Sequence, residues 1–314
     1  MEFNSYFLVL VGFVLLFLCG NWLVRGGVEL SRHFHVSPLV AGLTIVAFGT
    51  SAPELFVSVK AVYTNSPDIS IGNVVGSNIA NVALILGAVA IVFPLRVKRP
   101  SILNDWLVMM FSYLLLFFFL RNGLLEVFEG IAFVLLIVGY IIWSIWSSRR
   151  QSAKADKVFP EPTLKIVHAI GLVLIAVIGL YFGAEWLVKG AGDLAIGWGV
   201  SERVVGISVV AFGTSVPELA TSLAAALKKE MDISIGNIIG SNIFNVFSIL
   251  GITAILKPLE VSSRVVTSDM VWMTIVAVLL LLFMMPLRNG VISRWKGSFL
   301  LMFYIGYIWV LFVS

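Results

Sequence analysis

The chain has 314 residues, 60% of them hydrophobic and 12% charged, with a mean hydropathy of +1.04 and a formal net charge of +4. Soluble domains are nearer half apolar and a quarter charged, so these values exclude a water-soluble globular protein and point to a membrane protein. The single cysteine, Cys19, excludes a disulfide framework and reads as a core residue.

In chain order, apolar runs of about bilayer length are predicted over residues 6–24, 38–63, 69–94, 103–120, 126–146, 165–188, 202–227, 233–256, 268–286 and 296–313. Ten transmembrane helices leave little chain outside the bilayer, so no separate soluble domain is expected. The sequence also aligns with itself at an offset of 164. Residues 42–81 laid over 206–245 match at 23 of 40 positions, and Trp22-Leu-Val falls on Trp186-Leu-Val, Pro94 on Pro258 and Asp105 on Asp269. With a three-residue shift, Arg121-Asn-Gly123 falls on Arg288-Asn-Gly290. So long a period marks an internal duplication rather than a solenoid.

The expected domains are therefore a first five-helix repeat over 1–146, a linker over 147–164, and a second repeat over 165–314. Five is odd, so the second copy enters the bilayer from the opposite side. Two inverted repeats place a shared site near the midplane, as in many secondary transporters. Connections between odd and even spans hold 15 of the 21 Lys and Arg residues, which assigns that side to the cytoplasm and puts both termini outside.

Each copy carries two signature stretches. Gly49-Thr-Ser-Ala-Pro-Glu54 is repeated as Gly213-Thr-Ser-Val-Pro-Glu218, and Gly72-Asn-Val-Val-Gly-Ser-Asn-Ile-Ala-Asn81 as Gly236-Asn-Ile-Ile-Gly-Ser-Asn-Ile-Phe-Asn245. Pro53 and Pro217 lack an N–H and clash with the carbonyl four residues back. Helices 2 and 7 should therefore break, the first around Ala47–Thr50, leaving carbonyls that are tolerable at membrane depth only inside protein or beside a cavity. Thr50, Glu54 and Ser58 step by four along one face, as do Asn73, Ser77 and Asn81. Each half thus offers a stripe of oxygen donors with one carboxylate and no His, Lys, Arg or Cys, a chemistry suited to hard cations such as Ca²⁺.

A charge at the centre of a span costs about 2.5–3.5 kcal/mol even on lenient scales, so two uncompensated carboxylates imply a positive occupant. A serine hydrolase would need a base within reach of its nucleophile, and none is present, so an enzyme is not expected. A channel also lines its path with carboxylates, but one carboxylate on each of two inverted halves fits a single alternating-access site better.

The paired GTS-x-PE and GN-x-x-GSN-x-x-N stretches closely resemble the sodium/calcium exchanger branch of the cation/calcium antiporter superfamily, across essentially the whole chain, and the chain looks like a short prokaryotic member. The resemblance implies exchange of Ca²⁺ for Na⁺ with Glu54 and Glu218 coordinating the ions. It also implies hydroxyl ligands from Thr50, Ser51, Ser77, Thr214, Ser215 and Ser241, carbonyl ligands from Ala47 and Ala211, and a central polar pair in Asn81 and Asn245. The implied partners are Ca²⁺, Na⁺ and the lipid of the cell membrane; no cofactor, obligate protein partner or nucleic acid is implied. In the potassium-dependent branch and some archaeal members an aspartate matches Asn245, so potassium co-transport is not expected here. The Glu and His of the proton-coupled branch are missing near Asn81, which favours Na⁺ drive and leaves a Ca²⁺/H⁺ antiporter as the alternative.

Overall fold

The computed structural model describes residues 2–64, 67–96, 99–154, 159–200, 213–285 and 290–313. Helix α1 spans Glu2–Phe34, and a broken pair follows: α2 over Pro38–Thr50 and α3 over Ala52–Tyr63, bent by 43° at Ser51. Next come α4 over residues 67–92, α5 over Arg99–Phe119, α6 over Val127–Lys154 and α7 over Ile166–Gly197. Then α8 covers Val216–Leu227, α9 Met231–Leu256, α10 Val265–Met284 and α11 Arg294–Val313. Among the described residues seven helices are long and apolar enough to cross a membrane, or eight with the bent pair counted as one span. The protein is a multi-pass helical membrane protein.

Burial separates two classes of helix. In α4 and α9, 78% and 89% of the most apolar stretch is buried, whereas in the other spans it is 39% or less. The outer helices present Phe13, Phe17, Leu114, Phe118, Leu135 and Leu174 outward, as lipid-facing surfaces require. The spans that carry the Asn- and Ser-containing signature stretches are thus the two most interior ones, so those side chains meet protein instead of hydrocarbon.

Close backbone approach holds this interior together. Where α2 crosses α9, a Cβ on Gly42 would lie 2.7 Å from the Ile233 carbonyl oxygen, and one on Gly236 would lie 2.7 Å from that of Leu39. Only glycine permits helices to meet so closely, and such small-residue contacts drive association where lipid offers no hydrophobic gain. At the periphery, α1 and α7 run antiparallel: Gly12 lies against Gly183 and Leu187, and Gly26 against Ala169 and Val173.

Two short antiparallel ladders tie connecting segments together. Strand β1 (Leu95–Arg96) pairs with β4 (Val291–Ile292), and β2 (Leu124–Leu125) with β3 (Leu259–Glu260). Each ladder joins one copy of the duplicated sequence to the other. At the offsets of 164 and 167 residues, one ladder maps onto the other.

Three expectations change. Helix α1 reaches Phe34 and α7 reaches Gly197, about ten residues past the ends drawn from hydropathy. A 33-residue helix is about 50 Å long, more than the ~30 Å hydrocarbon core. The extension of α1 is fixed by Glu29, which is buried and accepts hydrogen bonds from Thr163 N (2.7 Å), Thr163 Oγ1 (2.8 Å) and Leu164 N (3.0 Å) at the start of α7. The break in α2–α3 falls at Ser51, just past the expected Ala47–Thr50. Pro53 occupies the first turn of α3, where a missing N–H costs nothing, so α2 stays helical to Thr50. Finally, backbone widening not foreseen from the sequence appears: π-helical turns span Gly42–Val46, Ala80–Leu86, Asn245–Leu250 and Val265–Asp269, the second and third leading out of the Asn-containing signature stretches.

The glycine crossing is directly testable. Gly236→Ala forces a methyl into backbone atoms and should cost about 1–3 kcal/mol, seen as a lower melting temperature in detergent. Gly139→Ala, where nothing lies within 4 Å of the added carbon, should melt no lower than the unaltered protein.

Candidate ion-binding site

The site forms where the first turns of α3 and α8 meet the middles of α4 and α9. Pro53 and Pro217 each sit at the start of their helix, so Glu54 and Glu218 lie in a first turn, where an acidic side chain faces the positive end of the helix dipole. Both glutamates are fully buried at 0% exposure. Thr50, Ser51, Ser58, Ser77, Asn81, Thr214, Ser215, Ser222, Asn237, Ser241 and Asn245 are buried with them.

Hydrogen bonds cross between the two copies. Ser51 Oγ donates to Glu218 Oε1 at 3.4 Å, and Thr50 and Ser241 stand beside the same carboxylate, with their hydroxyls 3.3 Å apart. Thr50 Oγ1 donates to Asn237 Oδ1 at 3.0 Å, and its counterpart Thr214 Oγ1 donates to Asn73 Oδ1 at 3.4 Å. Thr214 also lies 3.4 Å from the Ser77 hydroxyl. Asn245 Nδ2 donates to Asn78 Oδ1 at 3.0 Å, and Asn78 Nδ2 donates to the Asn242 carbonyl at 3.2 Å.

Several oxygens have no protein partner at all. Both carboxylate oxygens of Glu54, Glu218 Oε2, Ser215 Oγ, Asn81 Oδ1 and Asn245 Oδ1 are buried without a hydrogen bond. Buried polar atoms are normally satisfied, and each exception calls for a physical reason. Arg32 pairs with Glu29 at 2.9 Å, and among the described residues no ion pair reaches Glu54 or Glu218. No group of three or more His, Cys, Asp and Glu occurs among the described residues either, so any metal held here would take neutral oxygens as well. Hydroxyl, amide and carboxylate oxygens of this kind match the ligand preferences of hard cations.

The structure therefore brings Thr50, Ser51, Glu54, Ser77, Thr214, Ser215, Glu218 and Ser241 into one buried region. Asn245 reaches it through Asn78, and Asn81 is fully buried with both amide atoms unpartnered. The Ala47 carbonyl is not the open backbone oxygen expected from a break in this segment. It accepts from Ser51 N at 3.0 Å and from Thr50 Oγ1 at 3.3 Å, because the helix persists to Thr50. Ala211 lies outside the described residues.

Asn73, Asn78 and Asn237 prove to be hydrogen-bonded bridges to the opposite copy. Asn242 instead donates to its own helix, to Ile238 O at 2.9 Å. The available signal was the step of four from Asn73 through Ser77 to Asn81, repeated from Asn237 to Asn245.

The family described as sodium/calcium exchanger protein matches residues 4–146 and 168–313, covering both copies. The chain belongs to the sodium/calcium exchanger branch of the cation/calcium antiporter superfamily. Among its relatives, the sodium/calcium exchanger MaX1 of Methanosarcina acetivorans is 31% identical over 98% of each chain. The inner membrane protein YrbG of Escherichia coli is 33% identical over 87% of this chain and 86% of its own. The sodium-calcium exchanger NCX_Mj, in crystals soaked with zero Na⁺ and Ca²⁺, superposes with a TM-score of 0.84 at 33% identity, covering 99% of this chain and 100% of that one. The antiporter is thus a cation/calcium transporter of prokaryotic type.

The unpartnered carboxylate oxygens make a stability prediction. In cation-free buffer, Glu54→Gln removes a buried carboxyl with no hydrogen-bond partner and should leave the melting temperature unchanged or raised. A marked fall in the melting temperature would show that the carboxylate is satisfied in the empty protein.

Proposed function

We propose that the protein exchanges Ca²⁺ for Na⁺ across the cell membrane by alternating access, at a midplane site between Glu54 and Glu218. The observation that carries this reading is the pair of fully buried carboxylates, one from each sequence copy, with three of their four oxygens lacking a protein partner. Thr50, Ser51, Ser77, Thr214, Ser215 and Ser241 complete the oxygen cage. Asn81 and Asn245 add amide oxygens; of the two carbonyls that the family resemblance implies, Ala47 and Ala211, that of Ala47 is engaged within its own helix.

Ca²⁺ enters from the cytoplasm and Na⁺ ions take overlapping positions from outside. Empty, the cage is two negative charges in a low-dielectric interior, and it resists closure. Filled, its charge is compensated and the halves can switch. Only loaded states therefore cross easily, which couples the flow of one ion to the return of the other.

The proposed framework is ten spans in two inverted five-helix repeats, residues 1–146 and 165–314, joined by a cytoplasmic linker over 147–164, with both termini outside. The antiparallel packing of α1 on α7 supports it, since these helices are equivalent in the duplication. So do the paired threonine–asparagine bonds and the paired β ladders, each mapping onto the other under the repeat offset. The long helices α1 and α7 are the elements that slide against the buried core of α3, α4, α8 and α9.

Radiolabelled Ca²⁺ uptake into proteoliposomes under imposed Na⁺, K⁺ and pH gradients tests the proposal. Uptake should require Na⁺ on the opposite side and saturate. Uptake driven by protons alone would make the protein a Ca²⁺/H⁺ antiporter, and leak without a counter-ion would make it a channel. Glu54→Gln and Glu218→Gln should each abolish Na⁺-driven uptake while leaving a folded protein. Asn245→Asp adds a third carboxylate and should change the monovalent-ion dependence; unchanged dependence would remove Asn245 from the ligand set.

A further inference from the structure

The two asparagines that open the second signature stretch make the same set of bonds in both halves. Asn237 Nδ2 lies 3.5 Å from the backbone carbonyl oxygen of Glu218 and 3.0 Å from Ser222 Oγ, while its Oδ1 accepts from Thr50 Oγ1 at 3.0 Å. Asn73 Nδ2 lies 3.4 Å from the Glu54 carbonyl oxygen and 3.2 Å from Ser58 Oγ, while its Oδ1 accepts from Thr214 Oγ1 at 3.4 Å.

A backbone carbonyl can only accept, so it fixes which end of each amide faces it. Turning the Asn237 amide over would set its oxygen against the oxygen of Glu218 and leave its nitrogen facing a hydroxyl. With the amide nitrogens committed to Glu218 and Glu54, the amide oxygens must face Thr50 and Thr214. Each threonine has a single hydroxyl proton, and the amide oxygen takes it.

We infer that Asn73 and Asn237 are positioning residues that draw the hydroxyl protons of Thr214 and Thr50 away from the carboxylates, so that both hydroxyls turn oxygen lone pairs, and no proton, toward a bound cation. The inference rests on the proposed cation site and goes beyond it by stating how neutral hydroxyls become usable ligands. Without Asn237, the strongest acceptor beside Thr50 is the Glu218 carboxylate. The proton would turn to it, and the cage would lose a hydroxyl lone pair and a carboxylate lone pair together. The Ala47 carbonyl, 3.3 Å from Thr50 Oγ1, already accepts from Ser51 N and competes poorly for the same proton. Each asparagine also spans the two halves. It hangs from the backbone of the glutamate in its own copy and grips the threonine of the other, so the orientation holds only while the halves are engaged.

The test is a double-mutant cycle on Ca²⁺ affinity, measured by equilibrium dialysis of the purified full chain with radiolabelled Ca²⁺. Asn237→Ala and Thr50→Ala should each weaken binding by about tenfold or more, the loss of one good ligand interaction. The double variant should be no weaker than the weaker single, because Asn237 acts through Thr50. A purely structural asparagine would give additive losses, and additivity would overturn the inference, as would unchanged affinity in Asn237→Ala. Melting curves identify any variant that fails to fold, and the cycle of Asn73→Ala with Thr214→Ala in the other half then carries the same two outcomes. If the unaltered protein binds no Ca²⁺, the proposed site falls with the inference; if it binds Ca²⁺ and the cycle is additive, only the inference falls.

Discussion

Two carboxylates buried in a membrane protein, with no ion pair to either among the described residues, are the constraint on which the rest of this structure depends. Moving an ion into a low-dielectric interior costs several kcal/mol even after relaxation, and here the cost arises twice in one place. A protein that carries such a pair must have something positive to put beside it for part of its working life. The surroundings of Glu54 and Glu218 are consistent with that need. Buried oxygens converge from both sequence copies, and several acceptor atoms are left open.

The scaffold explains how so polar a centre survives in lipid. The polar residues ride on α4 and α9, the two most enclosed helices, and the glycine crossing of α2 on α9 seals one flank. Four of the bonds around the glutamates run between sequence copies: Ser51 to Glu218, Thr50 to Asn237, Thr214 to Asn73 and Asn245 to Asn78. Neither half completes its own cage. Relative motion of the halves would therefore alter these bonds directly, which is the property the proposed alternating-access site needs. The two sides also differ in detail, since Ser51 reaches Glu218 while its counterpart Ser215 reaches no acceptor. A duplicated sequence thus holds one carboxylate more tightly than the other.

Much of this was legible in the sequence because the duplication printed it twice. The repeat of Gly49–Glu54 at Gly213–Glu218 singled out the glutamates, and the step of four picked out Thr50, Ser58, Ser77 and Asn81 before any coordinates. Other features left weaker traces. No local composition announces the π-helical turns at Ala80–Leu86 and Asn245–Leu250. The break at Ser51 was displaced by one turn chemistry that sequence could not weigh, because a proline ends the preceding helix or begins the next with equal ease. The reach of α1 to Phe34 depends on Glu29 meeting Thr163 and Leu164, a contact more than 130 residues away along the chain. Hydropathy reads such a charged stretch as an exit from the bilayer, and pairing information is what it lacks.

The central claim is that the open oxygens of Glu54 and Glu218 hold a transported divalent cation. Anomalous diffraction from crystals soaked in Sr²⁺, a heavier analogue of Ca²⁺, locates the ion without reference to transport. The account predicts a dominant peak between the two carboxylates, within bonding distance of both and of the neighbouring hydroxyls. A dominant peak elsewhere in the molecule, with none at this position, would contradict it.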